Sequence, residues 1–220
     1  MILYGHPGST CTRKVLATLA EKNAAFDFVM VDLFKGENKQ PAHLARQPFG
    51  QVPVLDHNGF HLYESRAIIR YLDEVLPGVS LRPSDAQGRA KMEQLISVET
   101  SNFTPGAMKI IYQVVFAKWR GQEPNMDNVV EGRAQAGRTL DILDAHLADR
   151  EFLVGDQLTL ADICYMPYLE YLEVGGEGLP VRFPGLSSAV VEVFRGVLLA
   201  SVLTGEALVR TRLRGAAVPV

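Results

Sequence analysis

Asparagine followed by glycine, set between two short apolar-rich runs, is the tightest constraint that this chain places on its own fold. Val52-Pro-Val-Leu-Asp56 lies before Asn58-Gly59, and Phe60-His-Leu-Tyr63 lies after it. Such a pair tolerates the positive φ angles of a tight hairpin turn. The two runs are therefore expected as antiparallel neighbours. Pro53 heads the first of them, where a missing N–H is tolerable. From Glu64 the period changes: Ala67, Ile68, Tyr71, Leu72 and Val75 form one helical stripe, ended by Pro77-Gly78.

Upstream, Ile2-Leu-Tyr4 is a short apolar run closed by Gly5-His-Pro-Gly8. A helical pattern follows, with Val15, Leu16 and Leu19 on one face. Phe26 to Leu33 reads as a strand. A polar loop, Lys35 to Pro41, then leaves room for one short helix before Pro48. The order is βαβ, a loop, then ββα. A βαβ crossover is right-handed and makes its strands parallel, so the hairpin completes a mixed four-stranded sheet. With helices on both faces, this is the thioredoxin-like plan.

That domain is expected over residues 1–78, with a linker at 79–86 around Leu81-Arg-Pro-Ser-Asp85. Residues 87–220 read as an all-helical bundle, which makes the fold class α/β plus all-α. Met92, Leu95, Ile96, Phe103, Met108, Ile111, Tyr112 and Val115 keep helical spacing. Pro105-Gly106 is expected to kink or split that helix. Ala136, Leu140, Leu143 and Leu147 stripe a second helix. Thr159-Leu-Ala-Asp162 resembles a capping box for a third, reaching about Val174. Phe183-Pro184 opens a fourth.

Composition narrows the functional classes. Hydrophobic residues make up 47% and charged residues 21%, as in an ordinary soluble enzyme. A net charge of −3 lacks the basic excess that a nucleic-acid backbone demands. The basic tail Arg210-Thr-Arg-Leu-Arg214 reads as a solvated end. Cys11 and Cys164 form no C-x-x-C pair, so neither zinc nor dithiol chemistry is indicated, and a reducing cytosol suits them. The N-terminus lacks the signal-peptide pattern, and no run of about 18 apolar residues suggests a membrane span.

Three short segments carry chemistry. Gly8-Ser9-Thr10-Cys11 sits at a strand-to-helix turn. Ser9 there is either an N-cap or a hydroxyl donor beside an anion held at the helix start. Val52-Pro53 either starts a strand in the trans form or turns cis and presents backbone to a ligand. Glu64-Ser65 is either a charged cap or a pair that binds an ammonium and a carboxylate. Cys11 is a half-buried helix residue or an acidic thiol near the same helix start. Cys164 lies in a strongly apolar helix and reads as core. Trp119 reads as helix-end packing.

Gly5-His-Pro-Gly-Ser-Thr-Cys-Thr-Arg13, Gln47-Pro-Phe-Gly-Gln-Val-Pro-Val54, Leu62-Tyr-Glu-Ser-Arg-Ala-Ile68 and Phe152-Leu-Val-Gly-Asp-Gln-Leu-Thr-Leu-Ala-Asp162 resemble the motifs of glutathione transferases. The likeness is greatest to the serine-type phi class. It implies that Ser9 donates a hydrogen bond to the glutathione sulfur, and that Val52, aided by cis-Pro53, pairs its backbone with the cysteinyl part. Glu64 and Ser65 would hold the γ-glutamyl end. Gln51 and Lys39 would reach the carbonyl and the glycine carboxylate. Asn38 joins this glutathione-binding set where phi enzymes often carry a histidine. Asp162 would cap the helical core.

The resemblance further implies a cytoplasmic homodimer that conjugates the glutathione thiolate to small hydrophobic electrophiles. Glutathione would be the cosubstrate, with no metal, nucleic acid or membrane involved. The electrophile pocket is expected between the domains against the first long helix. Its candidates are Phe103, Met108, Ile111, Tyr112, Phe116 and Tyr168. Two alternatives stand beside this reading. One is a glutathione-dependent peroxidase or thiol-disulfide exchange enzyme using Cys11. The other is a non-catalytic module of the same fold that binds a ligand or partner.

Overall fold

The computed structural model of the chain describes residues 1–174. The helix expected at Phe183-Pro184 and the basic tail lie outside the described residues. Contacts divide the described chain into two units, Met1–Ser80 and the residues from Leu81 onward.

The first unit opens with β1 (Ile2–Gly5), α1 (Thr10–Glu21) and β2 (Asp27–Met30). A single 3₁₀ turn (Glu37–Lys39) and the short α2 (Pro41–Leu44) lead to β3 (Val54–His57), β4 (Phe60–Tyr63) and α3 (Ser65–Val75). The sheet order is β2-β1-β3-β4. β1 pairs with β2 in parallel, and the β1–β3 and β3–β4 pairs are antiparallel, as the thioredoxin-like plan requires. Asn58 and Gly59 both take positive φ at the hairpin turn. Leu3, Val54 and Leu55 from the sheet, Val15 and Leu19 from α1, and Ile68, Ile69 and Leu72 from α3 are all fully buried. Successive strand residues face opposite sides of a sheet, so the burial of both Val54 and Leu55 shows that β3 is covered on both faces.

β2 is shorter than its apolar run. It stops at Met30 because Asp32 draws the chain into a turn, its Oδ1 accepting the N–H groups of Phe34 (2.9 Å) and Lys35 (3.1 Å).

The second unit is helical. α4 (Ala86–Val98), α5 (Thr104–Ile111) and α6 (Ala117–Trp119) form successive stretches of one rod, joined by π-helical segments at Glu99–Phe103 and Tyr112–Phe116. Pro105 sits in the first turn of α5, directly after the π-helical segment Glu99–Phe103, and the helical chain runs through it. Gly106 serves packing against α7 (Met126–Leu147): a Cβ there would lie 2.6 Å from the Ala136 backbone nitrogen. α8 (Leu160–Val174) follows.

Asp162 caps the start of α8. Its carboxylate accepts the Leu153 N–H, the Thr159 N–H and the Thr159 hydroxyl, each within 2.8 Å. Burial raises its pKa, against the lowering effect of these bonds. Cys164 is fully buried. Phe103 and Tyr168 pack ring to ring and are also buried, whereas Tyr112 is exposed and Phe116 half-buried. Trp119 packs at a tilt on Phe116 and edge-on against Tyr171 at its helix end.

Candidate functional site

Sheet register gathers the three chemistry-bearing segments at one end of the first unit. Tyr4 pairs with Val54, and Val54 pairs with Tyr63. The next residue of β1 is Gly5, which leads into the Ser9 turn. Pro53 and Val52 immediately precede Val54, and Glu64 and Ser65 immediately follow Tyr63. Adjacent strands lie about 4.8 Å apart, so the three strand ends fall within roughly 10 Å. α1 and α3 both start here, and each brings free N–H groups and the positive end of its dipole.

The first segment is a tight turn. Gly8 N–H donates to His6 Nδ1 at 3.1 Å, and Ser9 N–H donates to the His6 carbonyl at 2.9 Å. A Cβ at Gly5 would lie 2.5 Å from the Thr12 methyl, so a larger residue where β1 meets α1 would displace the buried Thr12 side chain. Ser9 is the N-cap of α1, and its Oγ accepts the Thr12 N–H at 3.3 Å. A hydroxyl that accepts one bond still has a proton to donate. The two readings of Ser9 are therefore compatible in one geometry. Cys11 lies in the first turn of α1, half-buried, as a free thiol.

Two polar side chains hold the loop before β3. Asn38 Nδ2 donates to the Gly50 carbonyl at 2.7 Å, and Lys39 Nζ donates to the Phe49 carbonyl at 3.1 Å. The Val52–Pro53 bond is cis. Gln51 is exposed.

Glu64 is the third segment. It holds φ 70° and ψ 105°, a conformation that costs a non-glycine residue about 1–3 kcal/mol. Its side chain does not cap α3. The Glu64 carboxylate is exposed and Ser65 is buried at the helix start.

Sequence reasoning missed two members of this region. His43 is buried on α2 and its Nε2 meets the Gln51 carbonyl at 2.7 Å. Gln47 is buried too, and its Oε1 accepts the Gln51 N–H at 3.2 Å. The four-residue spacing of His43, Gln47 and Gln51 was the available signal.

The helical unit has a separate groove of about 700 Å³, lined from α4 and α7 by Lys91, Leu95, Val98, Arg138 and Ile142 among others. None of the residues predicted for glutathione binding lines it. Among the described residues no His, Cys, Asp and Glu cluster is placed to hold a metal ion, and no helix is long and apolar enough to cross a membrane.

Residues 1–74 match the profile of the glutathione S-transferase N-terminal domain, and residues 103–195 match that of the C-terminal domain. Glutathione S-transferase F9 of Arabidopsis thaliana is 36% identical over 172 residues, covering 77% of this chain and 80% of that protein. Glutathione transferase F7 from Populus trichocarpa superposes with a TM-score of 0.82 at 34% identity, over 93% of this chain and 97% of that one. Glutathione S-transferase I from maize, solved with an atrazine–glutathione conjugate, gives a TM-score of 0.78 at 28% identity, over 95% and 97%. A thioredoxin-like sheet with Ser9 at its first helix, a helical second unit and relatives of this extent lead to one assignment: the chain belongs to the glutathione S-transferase family, with plant phi-class enzymes among its relatives.

Proposed function

We propose that the protein binds glutathione at this sheet end, lowers its thiol pKa, and directs the thiolate onto small hydrophobic electrophiles. The observation that carries the reading is the Ser9 hydroxyl, fixed by Thr12 N–H at the start of α1 with its proton free to donate. A free thiol has a pKa near 8.5, so only a few per cent is ionised at pH 7. Lowering the pKa to about 6.5 requires roughly 2.7 kcal/mol of preference for the thiolate. A charge-assisted hydrogen bond from Ser9, together with the helix start, supplies an amount of that order.

The other residues hold the peptide. The Val52 backbone pairs with its cysteinyl part beside Pro53. Glu64 takes the γ-glutamyl ammonium and Ser65 its carboxylate at the start of α3. Gln51 and Lys39 reach the glycine end, where the Lys39 ammonium lies beside the Phe49 carbonyl. Asn38 contributes by fixing the Gly50 carbonyl. Residues 1–78 form the glutathione domain, 79–86 the linker and 87–220 the helical domain. That last domain supplies the electrophile-binding surface, with Tyr112 and Phe116 as the accessible aromatic candidates. Family membership supports a cytoplasmic homodimer with glutathione as cosubstrate, and the chemistry requires no metal. The maize enzyme's conjugate supports an electrophile that is small and largely apolar.

Calorimetry with glutathione, paired with a conjugation assay on a small aromatic electrophile, tests the reading. Saturable binding and turnover are expected. No binding at millimolar glutathione would favour a non-catalytic module. Disulfide or peroxide reduction that survives Ser9→Ala and disappears with Cys11→Ala would favour the thiol-exchange alternative.

A further inference from the structure

We propose that His43 is a positioning residue for glutathione binding: its Nε2–H, held on the Gln51 carbonyl, sets the direction in which the Val52 N–H is offered to the peptide. The inference rests on the reading that Val52 pairs its backbone with glutathione. His43 is only 4% exposed, and a carbonyl oxygen can only accept, so Nε2 carries the proton of the 2.7 Å bond.

The geometry follows from peptide planarity. The Gln51 carbonyl and the Val52 N–H belong to one rigid plane. That bond is trans, because Val52–Pro53 is the cis bond found among the described residues. In a trans unit the C=O and the N–H point in opposite directions. Fixing the oxygen on His43 therefore aims the Val52 N–H away from α2.

The preceding plane is held separately. Asn38 Nδ2 takes the Gly50 carbonyl and Gln47 Oε1 takes the Gln51 N–H, so both ends of the 50–51 unit are tied. The 51–52 unit is tied by His43 at its oxygen end, which leaves its nitrogen end for a ligand. Without His43 that plane could rotate, and the ordering cost would fall on glutathione binding.

The test uses the full chain with His43→Phe and His43→Gln. Glutathione Kd is read by calorimetry, and kcat and both KM values by conjugation. His43→Phe should raise the glutathione Kd and KM about tenfold, the scale of one lost hydrogen bond. Its kcat at saturation should stay within about twofold, as should the electrophile KM. His43→Gln keeps an amide donor and should recover most of the affinity. A folded His43→Phe with wild-type glutathione KM overturns the proposal, as does an equal loss in His43→Gln. If His43→Phe fails to fold, His43→Gln and His43→Glu carry the comparison: weaker binding by the Glu variant supports the clamp, and equal affinity overturns it. Failure of the wild-type protein to bind glutathione overturns the glutathione reading, and with it this proposal.

Discussion

Lys22 Nζ and an Asp73 carboxylate oxygen meet at 2.7 Å, with side-chain exposures of 1% and 0%. Lys22 is the C-cap of α1 and Asp73 lies in the last turns of α3, so the pair joins the two helices at the ends remote from the candidate site. The same ammonium donates to the Val79 carbonyl at 2.8 Å. Removing the Asp73 charge takes the counter-ion away from a buried ammonium. Asp73→Asn should therefore cost about 3–5 kcal/mol in urea unfolding.

Backbone strain at Glu64 separates stability from function. Glycine adopts φ 70° without a steric cost, whereas glutamate pays for it. Glu64→Gly is expected to raise stability by about 1 kcal/mol, after the entropy that glycine adds to the unfolded chain. It should also weaken glutathione binding by about tenfold or more, because the charge partner of the γ-glutamyl ammonium is gone. Melting and calorimetry on one preparation would show the opposite signs. A Glu64→Gly protein that binds glutathione as well as wild type would remove Glu64 from the site.

His6 gives the turn before Ser9 a pH dependence. Its Nδ1 accepts the Gly8 N–H, which requires the neutral ring. Burial pushes its pKa below the ordinary value of about 6.5, against a smaller upward pull from Asp32. The unfolded chain then holds more protons in the window from about 6.5 down to the depressed folded value. Stability due to His6 is thus fully present above about pH 6.5 and is lost as pH falls through that window. In His6→Asn, an amide oxygen can accept from Gly8 without titrating. The stability difference between wild type and His6→Asn should be flat above about pH 6.5 and should fall below it.

Gly106 and Gly132 allow α5 and α7 to cross at backbone contact. A Cβ on Gly106 would lie 2.9 Å from the Gly132 carbonyl, and one on Gly132 would lie 2.7 Å from the Gly106 carbonyl. Neither neighbour is a flexible side-chain end. Gly106→Ala and Gly132→Ala should each cost about 1–3 kcal/mol, the range for overpacking. Gly121, with φ 65° and open space around it, should lose stability only through its backbone conformation.

Local signals made most of the first unit legible. Asn58-Gly59 specified the hairpin, and Val15, Leu19, Ile68 and Leu72 of the apolar stripes are buried, whereas Val75 is exposed and Ile69, outside the stripe, is fully buried. The joint spacing of Ser9, Pro53 and Glu64 pointed to a site, because all three adjoin strand ends. What stayed hidden depends on contacts distant in sequence. The end of β2 is set by the Asp32 turn, not by where apolar residues stop. Gly106 reads as a breaker until Gly132 is found opposite it. π-helical segments keep a helical hydrophobic spacing, so nothing in the sequence separates them from α-helix. His43 acquires its role only when residues 47–51 fold back over α2.

Which side chain meets the glutathione sulfur decides the central assignment. The most direct measurement is the pKa of the enzyme-bound glutathione thiol, followed by thiolate absorbance across pH in wild type, Ser9→Ala and Cys11→Ala. With Ser9 as the donor, the bound thiol in wild type and in Cys11→Ala titrates well below 8.5. In Ser9→Ala it returns most of the way, and conjugation at pH 6.5 falls roughly 10- to 100-fold. A Ser9→Ala protein whose bound thiol keeps the wild-type pKa, with Cys11→Ala showing the loss instead, would contradict the assignment.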